Sequence, residues 1–127
     1  MQIERAKNDG FVTTIMGRRR YVPEINSKNM MLRQFAERQA VNTPIQGSAS
    51  DLIKLAMIDI YKEQKVRKLK SKMILQIHDE LLFDVEKAEL EELIALVRER
   101  MENVLKLDVP VRVDIKAGDN WLEMEPA

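Results

Sequence analysis

The sequence predicts an α+β fold, an antiparallel sheet centred on a hairpin at residues 73–85 and backed by two long helices. Three observations carry that expectation. Two short apolar runs, Met73 to Ile77 and Leu81 to Val85, have the length of buried strands and are separated only by His78-Asp79-Glu80. Apolar residues recur at helical spacing before this pair, from Asn29 to Tyr61, and after it, from Glu86 to Leu107. Near the end, Val111, Val113 and Ile115 alternate with Arg112, Asp114 and Lys116, the pattern of a one-sided strand that completes the sheet.

The remaining elements follow in order. Met1 to Lys7 reads as the end of a helix that stops at Asn8-Asp9-Gly10, where glycine accepts the left-handed conformation. Phe11 to Ile15 and Arg20 to Val22 are rich in β-branched and aromatic residues, flank Met16-Gly17-Arg18 and end at Pro23, so they read as a hairpin with a basic turn. Met31, Leu32, Phe35, Ala36 and Ala40 mark a helix over Asn29 to Val41, which Pro44 is expected to interrupt. Thr43 then caps a fresh helix, with Pro44 at its first position and Gln46 completing a capping box. Ile45, Ala49, Leu52, Ile53, Ala56, Met57 and Ile60 continue one apolar stripe to Tyr61. Lys62 to Lys72 is a basic connector. In the last helix Leu90, Leu93, Ile94, Val97, Met101, Val104 and Leu105 face inward, acids crowd the first turns, and Lys106 lies near the end, as the helix dipole prefers. Pro110 and Gly118 bound the final strand.

Composition narrows the function classes. A chain of 127 residues, 45% hydrophobic and 33% charged, suits one compact domain. No apolar run reaches the roughly 18 residues of a membrane span, and Met1-Gln2-Ile3-Glu4-Arg5 lacks the plan of a signal peptide, so a cytoplasmic protein is expected. With no cysteine and one histidine, neither a disulfide framework nor a zinc site has enough ligands. The zero net charge hides a division: up to Lys72 there are 15 basic and 7 acidic residues, and after it 6 basic and 14 acidic. A basic half can meet phosphates and an acidic half can hold cations. The same counts also describe two solvated faces that attract one another.

Candidate chemistry gathers in two places. Asp79 and Glu80 are adjacent acids at the tip of an apolar hairpin, where a hard cation such as Mg²⁺ would relieve their repulsion. A polar turn that leaves both in water satisfies the same pattern. His78 beside them is a lone histidine, a residue often kept for a structural hydrogen bond. Arg38, Asn42 and Gln46 recur every four residues and carry donors and acceptors suited to phosphates, sugars or base edges, although Gln46 can equally serve as a cap. Arg18-Arg19-Arg20 can touch phosphates or form a solvated turn.

Gln76-Ile77-His78-Asp79-Glu80-Leu81 resembles motif C of the family A DNA polymerases, the bacterial DNA polymerase I type. Glu37-Arg38-Gln39-Ala40-Val41-Asn42-Thr43-Pro44-Ile45-Gln46-Gly47-Ser48-Ala49-Ser50-Asp51-Leu52-Ile53-Lys54 resembles the segment that precedes it. Gly17-Arg18-Arg19-Arg20-Tyr21-Val22-Pro23 is similar to the hairpin after the family's fingers helices, and Gly118-Asp119-Asn120-Trp121 to its C-terminal ending. The resemblance implies that residues 1–127 are a C-terminal palm segment, a partial polymerase palm, of a DNA-directed DNA polymerase, a nucleotidyltransferase of replication and repair. It implies Asp79 and Glu80 as catalytic and metal-binding carboxylates for Mg²⁺, His78 close to the primer terminus, and Arg38, Asn42 and Gln46 on the primer-template DNA. Deoxynucleoside triphosphates would be the substrates of the complete enzyme.

Motif A, of the form Asp-Tyr-Ser-Gln-Ile-Glu, has no counterpart in the sequence, nor have the fingers nucleotide-binding helix and the thumb. The isolated chain is therefore expected to be inactive or nearly so, with self-association through surfaces that the absent regions would cover. Two other functions remain in view. A noncatalytic duplex DNA-binding module would bind without Mg²⁺-dependent extension. A small metal-dependent nuclease would need a second carboxylate cluster facing Asp79.

Overall fold

The computed structural model describes residues 2–127, so the part of the first expected helix that falls on Met1 lies outside the described residues. The chain forms two compact units, one ending at Asp51 and the other comprising Leu52–Ala127. No helix among the described residues is long and apolar enough to cross a membrane.

In the first unit α1 (Gln2–Asp9) stops where expected. Gly10 has φ +80° and donates its N–H to the Ala6 carbonyl at 2.8 Å. The basic hairpin follows as β1 (Phe11–Thr13) and β2 (Arg19–Tyr21), antiparallel with Phe11 opposite Tyr21 and Thr13 opposite Arg19. The Phe11 and Tyr21 rings meet edge to face at 5.7 Å, and the Arg19 guanidinium covers the Phe11 ring at 4.4 Å. A single 3₁₀ turn, Pro23–Asn26, buries Ile25 and leads to α2 (Met30–Val66). Ala6, Val12, Val22, Ile25, Ala36 and Ala40 make the core of this unit.

The expected break at Pro44 does not occur: α2 is one helix of 37 residues with Pro44 inside it. Its start is capped by Asn29, whose side-chain oxygen accepts the N–H groups of Met31 at 3.0 Å and Leu32 at 3.4 Å. Keeping proline within a helix costs about 3 kcal/mol for the missing donor and the ring clash. Breaking the helix there would instead orphan about four N–H and four C=O groups. Thr43 and Gln46 are consequently mid-helix residues and form no capping box. The apolar stripe is also shorter than expected, because Ile45 is exposed while burial sets in at Ala56 and Ile60.

The second unit begins within α2, which runs to Val66, past the expected end at Tyr61. Lys68, at φ +56°, closes it: Leu69 N–H reaches the Gln64 carbonyl at 2.9 Å and Lys68 N–H the Lys65 carbonyl at 3.2 Å. This is a Schellman ending with lysine in glycine's usual place. The central hairpin is β3 (Lys72–Ile77) and β4 (Glu80–Asp84), antiparallel, with a bulge between Met73 and Leu75. Met73, Leu81, Phe83 and Val85 pack against Ile60 of α2 and Leu93, Leu96 and Val97 of α3 (Leu90–Glu102). That last helix is shorter than expected at both ends. Residues Lys87–Glu89 form a 3₁₀ turn instead of its first turn, and Asn103 leaves the helical region.

The α+β class and the hairpin backed by helices hold, but the sheet is not continuous. Three separate two-stranded ribbons are present among the described residues. The expected strand Val111 to Lys116 reduces to β5 (Lys116–Ala117), paired with β6 (Glu125–Pro126). One reason is local: the Val113 N–H is taken by the Glu102 carboxylate at 3.1 Å and so is not offered to a neighbouring strand. Gly118 permits the last ribbon, since a Cβ there would lie 2.1 Å from the Glu123 carbonyl oxygen.

Glu89 explains the early 3₁₀ turn. Its carboxylate accepts the N–H groups of Lys70 (2.9 Å) and Ser71 (2.8 Å) and the Ser71 hydroxyl (2.7 Å). The Ser71 oxygen in turn accepts the Glu86 N–H at 2.9 Å, and the buried Gln64 amide donates to the Ser71 carbonyl at 3.1 Å. One knot thus joins the end of α2, the start of β3 and the approach to α3. The Lys70 N–H, with the Ser71 hydroxyl second, holds the Glu89 carboxyl below its ordinary pKa. A depressed carboxyl contributes stability that is complete above its unfolded value, about 4.3, and is lost as pH falls through the lower folded value. Denaturant unfolding as a function of pH is expected to show this acid loss, and Glu89→Gln to lower stability near neutrality and flatten that part of the profile.

Candidate functional site

The carboxylate loop lies in the second unit. Ile77 pairs with Glu80, so His78 and Asp79 are the two loop residues of a tight hairpin. A two-residue hairpin of this kind demands positive φ at its first position. His78 supplies it with φ +52°, where asparagine, aspartate and histidine are the side chains that tolerate the region best. The Gln76 amide braces the loop by donating to the His78 carbonyl at 3.1 Å. His78, Asp79 and Glu80 are all exposed, and neither acid forms an ion pair among the described residues.

Adjacent free carboxylates supply hard oxygen donors of the type Mg²⁺ takes, and that ion is commonly held by one or two carboxylates together with substrate phosphates and water. The donor chemistry fits, and Asp79 and Glu80 would be the holders. No group of three or more His, Asp or Glu side chains among the described residues is placed to hold a metal ion. These two carboxylates alone would make up only part of a ligand set.

The polar ridge lies in the first unit. Because α2 continues through Pro44, Arg38, Asn42 and Gln46 sit on one unbroken helix at successive four-residue steps, all exposed, spanning about 12 Å of its length. Beside the ridge the turn between β1 and β2 packs onto α2 and borders an open depression of about 310 Å³ lined by Thr14, Arg18, Arg19, Arg20, Thr43, Gln46 and Gly47. The arginines singled out in the sequence, all exposed, thus share this depression with Gln46.

The group that makes this packing possible escaped the sequence reading. Asp51 is buried, and its carboxylate accepts the Thr14 hydroxyl and, at 2.5 Å, the Arg18 Nε–H. The Thr14 hydrogen bond, and then Arg18, hold its carboxyl below the usual range against the opposing effect of burial. Ser48 adds a second tie, its hydroxyl oxygen accepting the Ile15 N–H at 2.8 Å while its proton goes to the Pro44 carbonyl. Gly47 lets the turn approach: a Cβ there would stand 2.7 Å from the Thr14 methyl group. The available signal was an acid set among the apolar positions of the stripe, between Ala49 and Leu52.

The described residues thus form an α+β chain with two polar surface features, a basic turn beside a helical ridge and a hairpin tip with adjacent exposed carboxylates. The family model described as DNA polymerase family A matches residues 1–123, and the chain belongs to that family. It is 53% identical over 121 residues to DNA polymerase I of Bacillus subtilis (strain 168), covering 95% of this chain and 14% of that protein. It is 51% identical over 119 residues to DNA polymerase I of Mycobacterium leprae (strain TN), covering 94% of this chain and 13% of that protein. Among solved structures it is similar to the POL domain of Pol1 from M. smegmatis in complex with DNA primer-template and dNTP. That likeness has a TM-score of 0.83 and 51% identity, and covers 86% of this chain and 19% of that one. The chain thus spans about one seventh of the length of the curated relatives named here.

The backbone at His78 generates a prediction independent of function. His78→Gly relieves the positive φ and is expected to leave unfolding stability nearly unchanged, the relief offsetting glycine's entropy. His78→Val, with a β-branched side chain in that region, is expected to cost about 1–2 kcal/mol in urea denaturation.

Proposed function

We propose that this chain is the C-terminal palm segment of a template-directed DNA polymerase, contributing one carboxylate loop and one duplex-binding surface to the synthesis of DNA in replication and repair. The observation that carries the reading is the hairpin tip, where Asp79 in the two-residue loop and Glu80 at the start of β4 form no ion pair among the described residues, within a chain of family A. The bound POL domain with its primer-template and dNTP supports primer-template DNA and deoxynucleoside triphosphates as the partners of the complete enzyme.

The chain's own residues divide the work. Gln76 fixes the loop backbone through the His78 carbonyl, so the carboxylates project from a defined tip. Asp79 and Glu80 hold their side of the metal site, and His78 stands near the primer terminus. Arg38, Asn42 and Gln46 contact the sugar-phosphate backbone and minor groove, whose acceptors are nearly independent of sequence and so allow pairing geometry to be sensed without selecting a sequence. Asp79 and Glu80 would hold Mg²⁺, which would supply Lewis-acid activation of the primer 3′-hydroxyl and charge stabilisation for the pyrophosphate leaving group. Motif A, the fingers helix and the thumb belong to parts of the enzyme outside these residues, and the chain is placed in the cytoplasm.

Primer extension with Mg²⁺ tests this reading. The isolated chain is expected to extend nothing, whereas a chimera carrying it in place of the matching segment of the Bacillus subtilis enzyme is expected to be active. Asp79→Ala in that chimera should lower the rate by at least about a thousandfold, corresponding to more than about 4 kcal/mol of barrier. An active isolated chain, or an Asp79→Ala chimera as fast as its parent, would overturn the assignment.

Self-association belongs to the same reading. Ile74, Leu75 and Ile77 are large apolar residues of β3 that are exposed, and such a surface favours association between copies. Sedimentation velocity is expected to show a mass that rises with concentration. A monomer at every concentration would count against it.

A further inference from the structure

We propose that Asp51 is a positioning residue of the DNA-binding surface: it fixes the β1–β2 turn against α2 so that Arg18, Arg19, Arg20, Thr43 and Gln46 wall a site for one backbone phosphate. The inference rests on the reading that the first unit contacts DNA, and it assigns a specific seat and a specific support within that contact.

The argument begins from an apparent contradiction. A buried carboxylate next to three arginines weakens the attraction of that surface for phosphate, so on charge alone Asp51 is a liability. Its geometry shows another use. Both carboxylate oxygens are occupied, one by the Thr14 hydroxyl and the other by the Arg18 Nε–H. The turn is held further by the Arg18 N–H on the Thr14 hydroxyl oxygen at 3.2 Å and by the Arg18 Nη2 on the Gly47 carbonyl at 3.4 Å. With Nε and Nη2 engaged, the guanidinium plane is fixed and Nη1 keeps donors without a partner among the described residues. Arginine's rigid fork makes this division of donors possible, which a lysine ammonium cannot reproduce.

Asp51 itself does not line the cavity, and no other carboxylate does. The Gln46 amide, which makes no hydrogen bond among the described residues, adds a neutral donor to the arginines. A concavity lined by one fixed guanidinium, two further exposed arginines and a neutral amide, with no carboxylate in its lining, has the chemistry of a phosphate seat.

The test is fluorescence anisotropy of the 127-residue chain with a labelled primer-template duplex, measured across a salt series. Asp51→Asn raises the net charge by one, so counterion counting by itself requires tighter binding and a steeper salt slope. Positioning requires the opposite: a Kd higher by roughly five- to tenfold and a slope of log K against log salt shallower by about 0.9, one phosphate contact. Arg18→Ala should reproduce both changes, and the double variant should be no weaker than Arg18→Ala. Tighter or unchanged binding by Asp51→Asn, or additive losses in the double variant, would overturn the proposal. Should circular dichroism show that Asp51→Asn does not fold, Thr14→Val and Arg18→Lys carry the test. Neither lowers the charge, both are expected to weaken binding and flatten the slope, and an unaltered slope in both would overturn it. Absence of duplex binding by the unsubstituted chain would instead overturn the underlying DNA-binding reading, and this inference with it.

Discussion

A two-stranded ribbon has too little buried surface to be stable by itself in water, and the sheet structure among the described residues consists only of such ribbons. Each therefore depends on something outside its own ladder. The β1–β2 ribbon sends Val12 into the alanine-rich core and ties its turn to α2 through Asp51 and Ser48. The β3–β4 ribbon lays Met73, Leu81 and Phe83 on Ile60, Leu93 and Leu96. The β5–β6 ribbon is extended by the Ala127 N–H on the Ile115 carbonyl at 2.9 Å and turns at Gly118. For the first two ribbons, helices supply what a third strand would supply elsewhere.

The same dependence sorts the acidic side chains. Asp51 and Glu89 are provided with hydrogen-bond donors from another part of the chain, and both have depressed pKa values for that reason. They are fasteners. Asp79 and Glu80 receive no such donors among the described residues and stay exposed at the hairpin tip. A carboxylate satisfied inside the fold has little left to offer a metal, and one left unsatisfied at a hairpin tip is stabilised by acquiring one. The charge division along the sequence marks where acids and bases accumulate but not which of them are already committed.

Much of the arrangement was legible because it is local. Gly10 as a helix stop, the hairpin around Gly17 and the paired apolar runs on either side of His78-Asp79-Glu80 depend on neighbours within a few residues. Pro44 was misread because the local rule treats proline as a boundary, whereas the comparison that decides is between one lost hydrogen bond and two new helix ends. The Val111 to Lys116 alternation was real, yet strand formation needs a partner, and the Val113 N–H had already been taken by Glu102. Asp51 was invisible for a related reason: its partners Thr14 and Arg18 are more than thirty residues away in sequence. The ridge of Arg38, Asn42 and Gln46 was legible as spacing, and the structure adds that one continuous helix carries it.

The bulge in β3 has a consequence in simple parity. Between the paired residues Met73 and Phe83 lies an odd number of residues. Regular pairing carried inward from them would close on a loop of one or three residues, with Gln76 opposite Glu80. A loop of two requires that one residue be left over, and Ile74 is that residue, falling between the Met73–Phe83 and Leu75–Leu82 pairs. By absorbing it, the strand changes the partner of Glu80 from Gln76 to Ile77 and leaves His78 and Asp79 as the two loop residues. The length of the loop that carries Asp79 is thus set by a residue left over several positions away along the partner strand.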